Sequence, residues 1–300
     1  MSEAPRPRRI GLVASERHRE GSNPALAQLV RQFERTITTE LALELFALGR
    51  THAALLRNQL LQHYAGLHAL PDRREGGLIR LTAMLVDDDP RQALDAVIYL
   101  LDPEDMTSVF PESQALKRQS VVHGRPFIST LAHAREWLEL ERVLAGFAPD
   151  RTLDAWFDAS QEAIALVAHD ARKDAMVDFA REHFALFSTF AMRYATGTTG
   201  ARLNTMAEAL GAGPAWTKRL KSGPLGGDAQ LAGLILDRRC RRVLFFEDPH
   251  VARQHEADIQ LLERAARIAT GFASCVNDPQ TAARWARGYT LRALGSARVG

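Results

Sequence analysis

Ile164-Ala165-Leu166-Val167-Ala168-His169 decides the fold, because an unbroken apolar run ending in a polar residue reads as a strand buried on both faces and running into a loop. Much earlier, Ile10-Gly11-Leu12-Val13-Ala14-Ser15 reads the same way. The likeness continues in order. Phe46-Ala47-Leu48-Gly49-Arg50-Thr51 aligns with Tyr194-Ala195-Thr196-Gly197-Thr198-Thr199, and Gly76-Gly77-Leu78 aligns with Gly226-Gly227-Asp228. Val97-Ile98-Tyr99-Leu100-Leu101-Asp102-Pro103 then mirrors Val243-Leu244-Phe245-Phe246-Glu247-Asp248-Pro249. Four elements recurring in one order make the chain a duplication of a whole domain. Helical patterns follow the first strand of each copy, over residues 26–36 and 175–187. The expected fold is therefore α/β: two tandem three-layer α/β/α domains, each with a mainly parallel sheet and right-handed crossovers. Their junction is expected near Phe147-Ala148-Pro149-Asp150, where a proline breaks the helical stretch over 138–144, giving domains 1–148 and 149–300. Residues 153–162 are expected to form a short helix leading into the second domain.

With 46% hydrophobic and 25% charged residues among 300, the chain can bury two substantial cores. Its 38 basic and 36 acidic residues leave a net charge of only +2, which excludes a large electrostatic footprint for nucleic acid or anionic lipid. The short basic stretch around Arg6, Arg8 and Arg9 reads as a solvated terminal segment. No apolar run is long enough to span a bilayer, and residues 1–20 lack the apolar core of a secretion signal, so a cytoplasmic location is expected. Cys240 and Cys275 are too few for a disulfide framework and lie outside any metal-ligand spacing. Both are read as reduced thiols, and no metal is expected.

Ligands of parallel α/β sheets sit at the carboxyl ends of strands, and three polar clusters of the second copy fall there. The run Thr196-Gly197-Thr198-Thr199-Gly200 offers hydroxyls and amides between glycines that let an anion approach closely. Ser222-Gly223-Pro224-Leu225-Gly226-Gly227-Asp228 ends in a carboxylate suited either to proton abstraction or to capping the helix that begins around Gln230. His169-Asp170 with Lys173 supplies an imidazole, an acid and a flexible point charge. Farther on, His255 and Asp258 lie three residues apart, a spacing that places both on one helical face.

In this order, IALVAHDARK (164–173), YATGTTG (194–200), SGPLGGDAQ (222–230) and DPHVARQHEAD (248–258) resemble methylglyoxal synthase. The resemblance covers residues 164–287, less than half of the chain. It implies conversion of dihydroxyacetone phosphate to methylglyoxal and inorganic phosphate without metal or organic cofactor. It further implies Asp228 as the base, and His255 with its acidic neighbour Asp258 at the substrate oxygens. His169, Asp170, Lys173, Thr196, Gly197, Thr198, Thr199, Ser222 and Gly223 are implied to bind substrate and phosphate. Gln254 departs from the proline usual in the family. A homo-oligomer is expected, with the first copy standing where a neighbouring subunit would. In that copy Ser15, Glu16, Leu48, Leu78 and Val109 replace His169, Asp170, Thr196, Asp228 and His255, so it is expected to be structural or regulatory. Arg19, Arg50 and Thr51 keep some anion-binding character there. The family's final strand and helix are expected to be truncated or diverged, with Arg292 and Arg298 as substitutes for its phosphate-site arginine. The alternative reading is a non-catalytic sensing module for a phosphorylated effector, since the resemblance extends to the regulatory domain of carbamoyl-phosphate synthetase.

Overall fold

The computed structural model describes residues 7–250 and 256–297, without the side chains of Val109, 256–259 and 296–297. The chain divides into two compact units, Met1–Phe147 and Ala148–Gly300.

In the first unit, β1 (Arg9–Ala14), β2 (Glu44–Leu48), β3 (Leu67–Leu70), β4 (Ala96–Leu100) and β5 (Phe127–Ile128) form a sheet of order β3-β2-β1-β4-β5. Every pairing is parallel. The helices are α1 (Glu16–Arg19), α2 (Ala25–Arg35), α3 (Gly49–Arg57), α4 (Gly77–Leu85), α5 (Pro111–Val122) and α6 (Leu131–Leu144). The second unit repeats the plan with β6 (Ala163–Ala168), β7 (Met192–Ala195), β8 (Lys218–Arg219), β9 (Arg242–Phe246) and β10 (Ser274–Val276), again all parallel, in the order β10-β9-β6-β7-β8. Its helices are α7 (Lys173–Glu182), α8 (Phe184–Ser188), α9 (Gly197–Ala209), α10 (Gly227–Leu236), α11 (Glu256–Ile268) and α12 (Pro279–Ala297).

All six residues of β1 and all six of β6 are buried, which explains their unbroken apolar sequence: helices cover both faces. The registers agree residue for residue. Ile10 pairs with Leu45 and Ala96, as Ile164 pairs with Arg193 and Arg242. Each copy then turns through the same glycine pair. Gly76 and Gly226 have φ of +82° and +90°, where a side chain is strained. A Cβ on Gly77 would lie 2.1 Å from the Pro71 carbonyl oxygen, and one on Gly227 would lie 2.0 Å from that of Lys221. These backbones abut, so only glycine fits, and the next residue, Leu78 or Asp228, is delivered in the first turn of its helix.

Three stretches differ from the sequence expectation. After α2 the chain makes a wide helical turn over Thr36–Glu40. Residues 153–162 lie in tight turns over Arg151–Trp156 and Ala159–Gln161, because Asp150 and Asp158 accept from the amides of Thr152 and Ser160 and favour local turns over a helix. The final strand and helix are present as β10 and α12, with Asp278 accepting from the amide and hydroxyl of Thr281 at the helix start. The periodic apolar positions Ala282, Trp285, Ala286 and Tyr289 bury that helix.

His133, in the first turn of α6, is 3% exposed. Burial holds its imidazole down at about 4, against an ordinary 6.5. The unfolded chain takes up a proton below pH 6.5 that the folded chain refuses until about pH 4, so stability falls as pH drops through that window. Urea unfolding of wild type and His133→Leu at pH 7 and 4.5 should show the variant losing about 2–3 kcal/mol less between the two pH values. Equal losses would mean the imidazole does not titrate as described.

Candidate active site

The second unit gathers its polar clusters where β6, β7 and β8 end on adjacent strands. His169 follows β6. Its Nδ1 accepts a hydrogen bond from the Asp248 amide at 2.8 Å, and its ring packs edge-on against Phe245, centroids 4.9 Å apart. With Nδ1 an acceptor, the neutral ring carries its proton on Nε2 and is a donor there. One turn on, Lys173 is largely buried and pairs with the exposed Asp170 carboxylate.

Thr196 closes β7 and begins α9, whose opening amides have no acceptor within the helix. The Gly197 amide donates to the Leu220 and Lys221 carbonyls at 3.2 and 3.1 Å, tying this helix start to the loop after β8. A Cβ on Gly197 would come within 2.5 Å of the Ser222 Cα. Glycine here is thus a condition for Ser222 to stand beside the threonines. Thr198 is exposed, whereas Thr199 is 1% exposed and its Oγ1 is buried with no hydrogen-bond partner among the described residues. A buried hydroxyl left so costs about 1–3 kcal/mol, which an arriving acceptor would recover. Its first-copy counterpart, Thr51, accepts instead from the Ala14 amide at 3.0 Å.

Asp228 lies in the first turn of α10 and is partly buried. Its Oδ2 stands 2.8 Å from where a Cβ on Gly223 would be. The carboxylate therefore lies over Gly223 and depends on the missing side chain. The structure thus brings His169, Asp170, Lys173, Thr196, Gly197, Thr198, Thr199, Ser222, Gly223 and Asp228 to the carboxyl ends of three adjacent strands of one sheet. His255 lies outside the described residues; Asp258 belongs to α11, but its side chain is not described.

Arg292 is placed elsewhere. It is 2% exposed and donates to the Asp150 carbonyl and the Asp154 carboxylate, with its guanidinium 4.1 Å from the Phe157 ring centre, so it cannot serve the phosphate site. Arg298 lies outside the described residues. Sequence reasoning missed Arg219, whose Nε donates to the Gly197 carbonyl at 3.3 Å and whose stem lies over Gly200, and the Asp248 amide that orients His169. It also missed Asn277, which follows β10 and whose amide donates to Glu247 after β9 and to Glu263 in α11. Only the acid-proline pair at Asp248-Pro249 carried any signal of these. Among the described residues no group of three or more His, Cys, Asp or Glu could hold a metal ion, and no helix is long and apolar enough to cross a membrane.

Comparison with models of known families found no match. Individual relatives do match. The chain is 43% identical over 108 residues to the methylglyoxal synthase of Agrobacterium fabrum, covering 36% of this chain and 80% of that protein. It is 41% identical over 107 residues to that of Thermus thermophilus, covering 36% and 79%. Among solved structures, methylglyoxal synthase from Elizabethkingia anophelis is 40% identical, covering 34% of this chain and 65% of that one, with a TM-score of 0.29.

Gly197→Ala should push the Ser222 loop from the start of α9 and cost about 1–3 kcal/mol of stability. Gly213→Ala, with open space around the new Cβ, is the control. Thermal unfolding that ranks the two variants alike would contradict the close approach.

Proposed function

The chain belongs to the methylglyoxal synthase family, and on that premise we propose that its second unit converts dihydroxyacetone phosphate to methylglyoxal and inorganic phosphate. The observation that carries this reading is the Asp228 carboxylate over Gly223, on the same strand-end edge as Lys173 and the Thr199 hydroxyl.

Asp228 removes a proton from the hydroxymethyl carbon beside the ketone, and the electron pair passes to the ketone oxygen as an enediolate. Hydrogen-bond donors steady that oxygen: His169 Nε2–H, oriented by the Asp248 amide, and His255 as the resemblance implies. The hydroxyl on the deprotonated carbon then gives its proton to the leaving phosphate and becomes the aldehyde carbonyl, the double bond shifts to the methylene carbon, the carbon–oxygen bond to phosphate breaks, and phosphate departs into the amides and hydroxyls at the start of α9, beside Lys173. The enolate left behind takes a proton at its methylene carbon, balancing the one Asp228 removed, and becomes methylglyoxal. Each step is assigned to side chains and backbone amides of the chain, so a chelator should leave turnover unchanged. The first unit holds Leu78 and Ser15 where the base and an imidazole stand in the second, so catalysis is confined to the second unit. A homo-oligomer in the cytoplasm completes the proposal. A purely sensing chain, the alternative reading, has no use for a base seated over a glycine.

Asp228→Asn keeps the shape and removes the proton acceptor. Its turnover should fall by about a thousandfold or more, with inorganic phosphate still competing for the site. Activity within about threefold of wild type would remove Asp228 from this role. Lys173→Ala and Thr199→Ala should each weaken competition by inorganic phosphate about tenfold, because charge and hydroxyl act before and during reaction. Unchanged competition in both would take them out of the phosphate site.

A further inference from the structure

The first unit keeps a cavity of about 620 Å³ where its strands end, lined among others by Arg19, Arg50, Thr51, Arg73, Arg74 and Leu78. The matched registers give each arginine a counterpart. Arg19 stands for Lys173, Arg50 for Thr198, Arg73 for Gly223 and Arg74 for Pro224. Four guanidiniums thus occupy positions that supply one ammonium in the other copy.

These changes are mutually consistent. In the second unit a side chain at Gly223 would strike the Asp228 carboxylate. With Leu78 at the latter position, the former accepts Arg73, whose guanidinium lies 5.5 Å from the Tyr99 ring centre. Tyr99 holds the register position of Phe245, the ring against which His169 packs. Ser15, in place of His169, still accepts the equivalent amide, that of Asp102, at 3.2 Å. The backbone frame is therefore intact, while a titratable imidazole has given way to a permanent cation.

We propose that this cavity binds a phosphate monoester carried on an apolar or aromatic body, without transforming it. Among the described residues four carboxylates share the lining: Asp72 and Asp105 stand 2.9 and 3.9 Å from Arg50 and Arg73, Glu16 pairs with Arg19, which also donates to the Ala14 carbonyl, and Glu112 completes the set, so the arginines are held in place. A guanidinium has five N–H donors and one carboxylate engages at most two, so donors remain for a ligand. Guanidiniums on one lining, from α1, the start of α3 and the turn before α4, match a dianion with three terminal oxygens better than a lone carboxylate. The volume exceeds what a triose phosphate fills, and the exposed side chains of Ile79 and Phe110 on the lining, 60% and 49% exposed, suit an apolar body. No carboxylate stands at Leu78 to remove a proton.

Calorimetric titration of the full chain with phenylphosphonate tests this, in a Lys173→Ala background that weakens the second unit's phosphate site. Saturable binding at one site per chain is expected, weakened about tenfold or more by Arg73→Gln and by Arg50→Gln. Arg50 is half exposed, so its variant remains informative if loss of Arg73 disturbs folding. No binding in the Lys173→Ala background, or binding that Arg50→Gln leaves unchanged, overturns the proposal. Failure of wild type to release methylglyoxal would sink the catalytic reading and leave this titration unaffected.

Discussion

A carboxylate at position 228 and a side chain at position 223 compete for one space, and the character of each copy follows from how that competition is settled. Glycine at 223 lets Asp228 lie over the loop. In the first unit the pair is reversed: Leu78 joins the apolar cluster that contains Val13, Leu81, Val97 and Tyr99, and Arg73 takes the space above. Neither exchange works singly. An arginine at 223 would displace the Asp228 carboxylate, and a carboxylate at 78 would enter an apolar cluster at a cost of several kcal/mol unless paired.

Beneath this difference the frame is shared. Both units thread five parallel strands in the same order, and both turn through a left-handed glycine into a second glycine that rests against a carbonyl. In both, the residue after the central strand accepts the amide of the aspartate that follows the fourth strand: Ser15 from Asp102, His169 from Asp248. Strand ends, helix starts and loop paths are set by these backbone contacts, so side chains at the rim can change without unsettling the sheet.

Strand identity, parallel pairing and the duplication were legible in the sequence because buried strands such as β1 and β6 must be apolar throughout. The glycine pair was legible because no other residue fits its geometry. Most of the candidate site was legible through the motifs around Thr196–Thr199 and Ser222–Asp228. Contacts made by backbone groups or side-chain stems left little sequence signal: the Asp248 amide on His169 had only the Asp248-Pro249 pair to mark it, and the Arg219 stem over Gly200 had nothing. Arg292 misled because an arginine reads as a phosphate ligand from charge alone. Only the fold shows it turned inward to Asp150 and Asp154. The last strand was overlooked because β10 spans only Ser274–Val276, too short for periodicity to register.

Simultaneous measurement of methylglyoxal and inorganic phosphate, from the full chain given dihydroxyacetone phosphate as sole substrate, tests the central claim most directly. The account requires both products in equal amounts, at a rate far above the uncatalysed one and insensitive to a chelator. Phosphate released without methylglyoxal, or saturable substrate binding with neither product, would contradict it.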